Sequence, residues 1–336
     1  MLRTPAFVPE TAMWRREFIS LVGGVAATWP LAALAQQSAL PVIGFLNVAS
    51  ARGYERQVAA FLKGLAETGF VDGQNVTIEY CWADFQNDRL PAMAADLVRR
   101  QVAMIAATTT PAALAAKFAT TTVPIVFEGG NDPIRLGLVS RLDRPGGNIT
   151  GVTQLNVQVG SKRLELLYEA IGKTTVLAYL INPNEFNPEI ADMREAAHKL
   201  GVELRVLNAT TEREFDAAFA NVVQMRAGGL VIGSSSYYVA TLEKLAALAV
   251  HNAVPAIFEN REFAVAGGLM SYGGSITEGY RLAGVYVGRI LKGEKAGELP
   301  VQQGTKVELR INLKAARTLG LNIPNTLVGR ADEVIE

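Results

Sequence analysis

Pro124–Leu138, PIVFEGGNDPIRLGL, sets the architecture of the whole chain. Pro124–Phe127 is an apolar run of strand length stopped by glycines, which suits a parallel strand covered on both faces. Glu128 follows on an open glycine turn. Asp132 then precedes Pro133, and proline is favoured at the first helical position, where its missing N–H costs nothing. A helix is therefore predicted to start at Asp132–Pro133. The strand's carboxyl end empties into a loop offering one acid, bare backbone and a helix N-terminus. In open α/β sheets, ligands gather at that rim.

The same alternation extends outward in both directions. Upstream, strands are predicted at Pro41–Leu46, Val76–Tyr80 and Val102–Ala107, with helices at Glu55–Gly69, Asp88–Gln101 and Ala112–Ala119 between them. In the first helix, Val58, Phe61, Leu62 and Leu65 recur at the spacing of one helical face. A composition break follows at Asp143–Thr153, DRPGGNITGVT, and then the alternation restarts. Helices are predicted at Gly160–Ile171, Pro188–Leu200, Glu212–Arg226 and Thr241–Asn252. Strands are predicted at Thr175–Ile181, Glu203–Leu207, Gly229–Gly233 and Pro255–Phe258. Strand and helix in this rhythm mean βαβ crossovers and parallel sheets. A strand at Gly268–Tyr272 and a helix at Thr277–Lys292 are left over after the second set and are expected to return to the first. A half-exposed strand, Lys306–Ile311, and a short helix, Leu313–Leu319, close the chain.

The fold class is thus α/β, with two Rossmann-like lobes holding parallel sheets and joined by a hinge of several chain crossings. The expected first lobe comprises residues 36–153 and 267–297, and the second comprises 154–266 and 298–336.

Residues 1–35 read as an export signal. Trp14-Arg15-Arg16-Glu17-Phe18-Ile19 is a twin-arginine pattern, an apolar run covers Ile19–Ala27, and Ala33-Leu34-Ala35 precedes Gln36 as a cleavage site. The alternative, a membrane or amphipathic helix, is disfavoured by the short run and by Pro30. No cysteine follows the cleavage site to carry a lipid. Met13 is the more natural start of such a signal, and translation is expected to begin there.

The 32 basic and 32 acidic residues balance, giving no reason to expect nucleic acid or an anionic membrane as partner. Cys81 is the only cysteine, so the chain has no internal disulfide and must rely on burial. It reads as a half-buried strand residue. His198 and His251 fall near predicted helix C-termini, facing solvent or the terminal carbonyls.

Candidate ligand-binding groups follow from the strand ends alone. The first lobe offers Asn47, Ser50, Thr108, Thr109, Thr110, Glu128 and Asp132. The second offers Asn182, Asn184, Phe186, Ser234, Ser235, Tyr237, Glu259 and Arg261, with Ser271 and Tyr272 at a return crossing. Carboxylates at Glu128 or Glu259 can take an ammonium group, aromatics can stack on a ring, and helix N-termini after Thr110 and near Asp132 can take a carboxylate. Each has a plainer role: the Thr and Ser clusters and Asp132 can simply cap helices, and Arg261 can be a solvated loop charge. A small polar solute with an apolar part, an amino acid or related metabolite, fits this set.

Enzyme chemistry finds little support. Gly233-Ser234-Ser235-Ser236-Tyr237 lacks the second glycine of a nucleophile elbow, and neither G-x-G-x-x-G nor a P-loop occurs where it is needed. No metal site is assembled from two histidines and one cysteine, and no cofactor is expected.

Taken together, PVIGFL, ATTTPAAL, PIVFEGGNDPIRLGLV, RPGGNITGV, KRLELL, LINPN, GGLMSYG, YVGRILKGEKAGELPV and NLKAARTLGL…ADEVI span the chain beyond residue 40. In this order they resemble the periplasmic substrate-binding proteins of ABC importers, type I fold, tryptophan/tyrosine-type group. The resemblance implies a monomer in the periplasm whose lobes close over one small-molecule solute and deliver it to an ABC permease in the inner membrane. A ligand sensor serving a membrane receptor needs the same closing lobes and is not separated from an importer by sequence.

Overall fold

The computed structural model describes residues 40–336 apart from positions 155, 186 and 305. The export signal expected at 1–35, and Phe186, lie outside the described residues.

The first sheet contains β1 (Val42–Asn47), β2 (Thr77–Trp82), β3 (Met104–Ala107), β4 (Ile125–Gly129), β5 (Ile149–Thr153) and the short β11 (Gln302–Gln303). Their spatial order is β11-β5-β4-β3-β1-β2, and every pairing is parallel. The second sheet contains β6 (Val176–Ile181), β7 (Glu203–Asn208), β8 (Leu230–Ile232), β9 (Ala256–Phe258), β10 (Met270–Gly274), β12 (Val307–Asn312) and β13 (Glu333–Ile335). Its order is β13-β12-β10-β9-β8-β6-β7, and β10 with β12 forms its antiparallel pair. The chain is therefore an α/β protein of two lobes. β3 and β5 are buried along their whole length, as central parallel strands covered on both faces must be. The β7 edge alternates between exposed and half-covered residues.

Several local expectations change. The helix predicted from Asp132–Pro133 stops after one turn. Gly137 N–H donates to Ile134 O and Leu138 N–H to Pro133 O, both at 2.8 Å, and Gly137 has φ +66°. That is a Schellman closure, which only a residue tolerant of the left-handed region makes cheaply. The break read at Asp143–Thr153 conceals β5. Its β-branched Ile149, Thr150, Val152 and Thr153 favour a strand, and Gly151 sits where a Cβ would lie 2.2 Å from Phe127 O. The helix expected at Thr241–Asn252 is preceded by a separate short one, Ser236–Ala240, and the Glu259–Glu262 loop starts another at Arg261–Val265.

The strand expected at Gly268–Tyr272 does not return to the first lobe. As β10 it pairs with β9 and β12 in the second sheet. Only the helix after it, Ile276–Leu291, crosses back and lies along the helix Glu55–Glu67. A Cβ on Gly64 would sit 1.8 Å from Arg281 O, and one on Gly284 2.1 Å from Phe61 O. The two backbones approach so closely that any side chain at these positions would separate them. The chain passes between the sheets after β5, after β10 and after β11.

Each sheet has apolar residues on both faces. In the first, Phe45, Phe61, Met104 and Val126 cluster on one side and Leu46, Leu97, Ile105 and Phe127 on the other. Cys81 is half-buried on β2, and His198 and His251 are exposed near their helix C-termini. Among the described residues no helix is long and apolar enough to cross a membrane.

Candidate functional site

A cavity of ≈ 380 Å³ lies between the two lobes, walled by residues that follow strand carboxyl ends in both sheets. On the first-lobe side, β1 delivers Asn47 and β3 delivers Thr108. The Asn47 amide donates to Thr108 Oγ1 at 2.9 Å and to the Tyr280 hydroxyl at 3.1 Å, while Tyr280 donates to Thr108 O at 2.6 Å. Tyr280 comes from the returning helix, so this network ties that helix to the rim. Thr109 Oγ1 accepts from Val48 N–H at 3.3 Å, and Thr110 Oγ1 accepts from the Asn131 amide at 3.2 Å. Glu128 ends β4 and is 4% exposed, with Gln154 and Asn156 beside it at the first crossing.

The second-lobe wall has its own carboxylates. Glu185 accepts from Ser235 Oγ at 2.6 Å, from Ser236 N–H at 3.2 Å and from the Asn182 amide at 3.2 Å. Glu259 accepts from the Ser234 hydroxyl. Behind Ser234 lies Arg163, a guanidinium only 1% exposed. Its Nη2 donates to Ser234 Oγ at 3.4 Å. Its Nη1 donates to the carbonyls of Asn156 at 2.9 Å, on the crossing after β5, and of Tyr272 at 3.3 Å, within β10. Glu189 stands further back and accepts from the Tyr179 hydroxyl at 2.7 Å.

Burial pushes all these carboxyls upward. Glu128 is pushed to about 8, first by burial and then by Glu259 facing it, with the adjacent Gln154 amide pulling the other way. Glu259 is raised by burial against the opposing charge of Arg163, and Glu185 is raised by burial against its hydroxyl and backbone donors. Glu128 and Glu185 are thus cleft carboxylates without a protein cation near them, and Glu128 lacks the hydroxyl and backbone donors that hold Glu185. The lining also includes the apolar residues Leu90, Pro91, Pro111, Leu114, Ala115 and Phe118. Such a site suits a solute with a cationic head and an apolar body.

Of the residues expected from sequence, Thr108, Thr109, Thr110, Glu128, Asn184, Ser234, Ser235 and Glu259 line this cavity. Asn47 and Asn182 stand one hydrogen bond behind it. Six lie elsewhere. Asp132 accepts from Ile134 and Arg135 N–H and caps its own turn. Ser50, Tyr237 and Arg261 line a second groove, where Tyr237 meets Phe85 edge-on and Arg261 forms a two-pronged pair with Glu333. Ser271 is buried within β10, and Tyr272 packs on the second-lobe core, because side chains alternate along that strand. Tyr54, Tyr280, Gln154, Asn156 and Glu185 were not anticipated. Glu185 sits in the strand-end loop Asn182–Asn187, so the strand-end rule covers it.

The lobes are closed on each other. Tyr54 OH donates to Ser236 O at 3.3 Å, the Asn87 amide donates to Asn184 O at 3.0 Å, and Arg56 approaches Glu262 at 3.4 Å.

Two lobes built on largely parallel sheets and clasping a polar-and-apolar cavity form the type I periplasmic binding fold. A model of the ABC transporter substrate binding protein family matches residues 42–335, and the chain belongs to that family. Its members are binding proteins rather than enzymes. The chain is 27% identical over 299 residues to the tyrosine-binding protein of Clostridioides difficile strain R20291, covering 87% of this chain and 85% of that protein. Among solved structures, a conserved domain protein of Vibrio cholerae O1 biovar El Tor superposes with TM-score 0.79 at 24% identity, over 88% of this chain and 100% of that one. An ABC domain from Streptococcus pneumoniae, solved in complex with L-Trp, superposes with TM-score 0.77 at 23% identity over the same shares.

Proposed function

We propose that this chain, acting outside the cytoplasmic membrane, captures an amino acid or a closely related small metabolite in the interlobe cleft. It then presents the closed complex to an ABC permease. The observation that carries the proposal is Glu128: a buried carboxylate without a protein cation, lining the same cavity as a set of apolar residues. Burying an uncompensated charge is costly, so the ligand supplies the ammonium and the apolar residues receive its side chain. The tyrosine-binding relative and the tryptophan complex support this solute class. Contacts from both rims exist together only in the closed form, so ligand shifts the population toward it. The protein works as a monomer after cleavage following Ala35.

A thermal-shift screen of amino acids, aromatic acids, nucleosides and sugars tests the reading. A ligand at 100 times its dissociation constant adds about 2.7 kcal/mol. Stabilisation by amine-bearing compounds is the expected result. Stabilisation by sugars or nucleosides alone overturns the proposal.

A further inference from the structure

Two spaces meet at the lobe boundary, and the hydrogen bond from Tyr54 OH to Ser236 O runs between them. On each side of that bond, neighbours in the chain face opposite ways. Tyr54 and Ser236 line the cavity of ≈ 380 Å³, whereas Gly53 and Tyr237 line the second groove, of ≈ 780 Å³. Val239 and Ile276 line both spaces and pack in one apolar cluster with Tyr54. The partition therefore consists of the Tyr54 ring, its bond across the lobes and two aliphatic side chains.

The ring is firmly held. Tyr54 is 3% exposed, and the rings of Trp82 and Tyr280 lie with centroids 6.3 and 6.2 Å from its own. Burial first, and then the charge of Glu185, push its hydroxyl above the ordinary range, so it stays protonated and donates. The groove beyond the ring has a group ready for a solute. Gln57 is 5% exposed and lines it, and its Oε1 accepts no hydrogen bond from the described residues. A buried acceptor left in this way is met by a donor from outside the chain.

We infer that Tyr54 sets the upper size of the bound solute: its ring shuts the cleft cavity off from the groove, and a shorter side chain there joins the two into one site for a solute of dipeptide size. This rests on the reading of the cleft as an amino-acid site and adds the residue that limits what it admits. The physical reason is packing. A solute that needs the space of the ring must either displace it from a filled aromatic cluster or hold the lobes apart and forfeit the bond to Ser236.

Calorimetry on the purified protein tests it with tyrosine, tryptophan and leucine. Each is used free, with glycine joined to its amino end and with glycine joined to its carboxyl end; O-benzyltyrosine extends the side chain. The unsubstituted protein should bind the free amino acids at least about tenfold tighter than the extended forms. Tyr54→Ala should narrow that preference by about tenfold for at least one direction of extension. Tyr54→Leu keeps apolar packing against Trp82 and Tyr280, should act in the same direction, and serves if the alanine variant fails to fold. Tyr54→Phe keeps the ring, so it should weaken all members alike, by about two- to tenfold through the lost bond to Ser236, and leave the preference intact. Extended forms that bind the unsubstituted protein as tightly as free amino acids overturn the inference, as does an unchanged preference in the shortened variants. The amino-acid reading stands in both cases. A preference lost equally in Tyr54→Phe overturns the role given to the ring. If no member of the set binds, the amino-acid reading falls and this inference falls with it.

Discussion

Phe85 of the first lobe meets Tyr237 of the second edge-on, with ring centroids 4.9 Å apart. Phe85 has φ +61° and its neighbour Asp84 φ +51°, two consecutive non-glycine residues in the left-handed region. The backbone N–H of Phe85 is held by Val48 O at 2.7 Å. Strain of this kind persists only where surrounding contacts fix it, and here it aims an aromatic ring across the lobe boundary. An edge-on aromatic pair contributes about 0.5–1.5 kcal/mol. Phe85→Ala should therefore weaken ligand binding by up to about tenfold while leaving the unfolding temperature of the empty protein nearly unchanged. Calorimetric titration beside a thermal melt separates the two effects.

Gly53 of the first lobe lies against Ala240 of the second. It has φ +90°, and a Cβ there would lie 2.7 Å from Ala240 O. In the closed form that atom collides with backbone that cannot swing away, whereas opening the lobes removes the collision. Gly53→Val should block closure, so scattering would show no compaction at saturating ligand. Compaction equal to that of the unsubstituted protein would mean the lobes meet elsewhere.

The strand-end groups of the cleft were legible in sequence because a short apolar run followed by small polar residues fixes both a strand and its direction. Thr108–Thr110, Glu128, Ser234, Ser235 and Glu259 were found on that rule. Side-chain direction was not legible. Arg163 belongs to a helix whose apolar spacing turns Leu164 and Leu167 inward, and nothing in the pattern says that a neighbouring arginine is buried too. Tyr280 reaches the rim on a helix that returns from the other lobe, a long-range event invisible to local periodicity. Arg261 looked like a rim cation until its partner, Glu333, proved to lie near the far end of the chain. The strand β10 was assigned to the wrong lobe because its antiparallel pairing with β12 breaks the parallel rhythm used to place it.

The empty closed cleft should depend on pH through Glu128. Open, its carboxyl is solvated with an ordinary value near 4.5; closed, burial and then Glu259 push it to about 8. Because the closed-state value is raised, the empty closed form is favoured at pH below about 4.5 and is progressively lost as pH rises toward 8. Glu185 and Glu259 are shifted in the same direction by burial and add to the trend. Without ligand, the protein should be more compact at pH 5 than at pH 8.5. Glu128→Gln should flatten much of this dependence. A scattering radius that is pH-independent in the unsubstituted protein would count against the mechanism.

Arg163 tests whether the wall behind the cleft is held by charge. Its guanidinium is buried, lies within electrostatic range of Glu259 and Glu189, and donates to the carbonyl of Asn156, on the crossing after β5, and to that of Tyr272, within β10. Arg163→Met keeps the volume but strands two acidic groups and two carbonyls. Removing one partner of a buried pair costs about 3–5 kcal/mol, so the midpoint of urea unfolding should fall accordingly. Arg163→Met combined with Glu259→Gln removes one stranded charge and should recover part of the loss. If the double variant is as unstable as the single one, the hydrogen bonds to the Asn156 and Tyr272 carbonyls, rather than the charge on Glu259, set the cost.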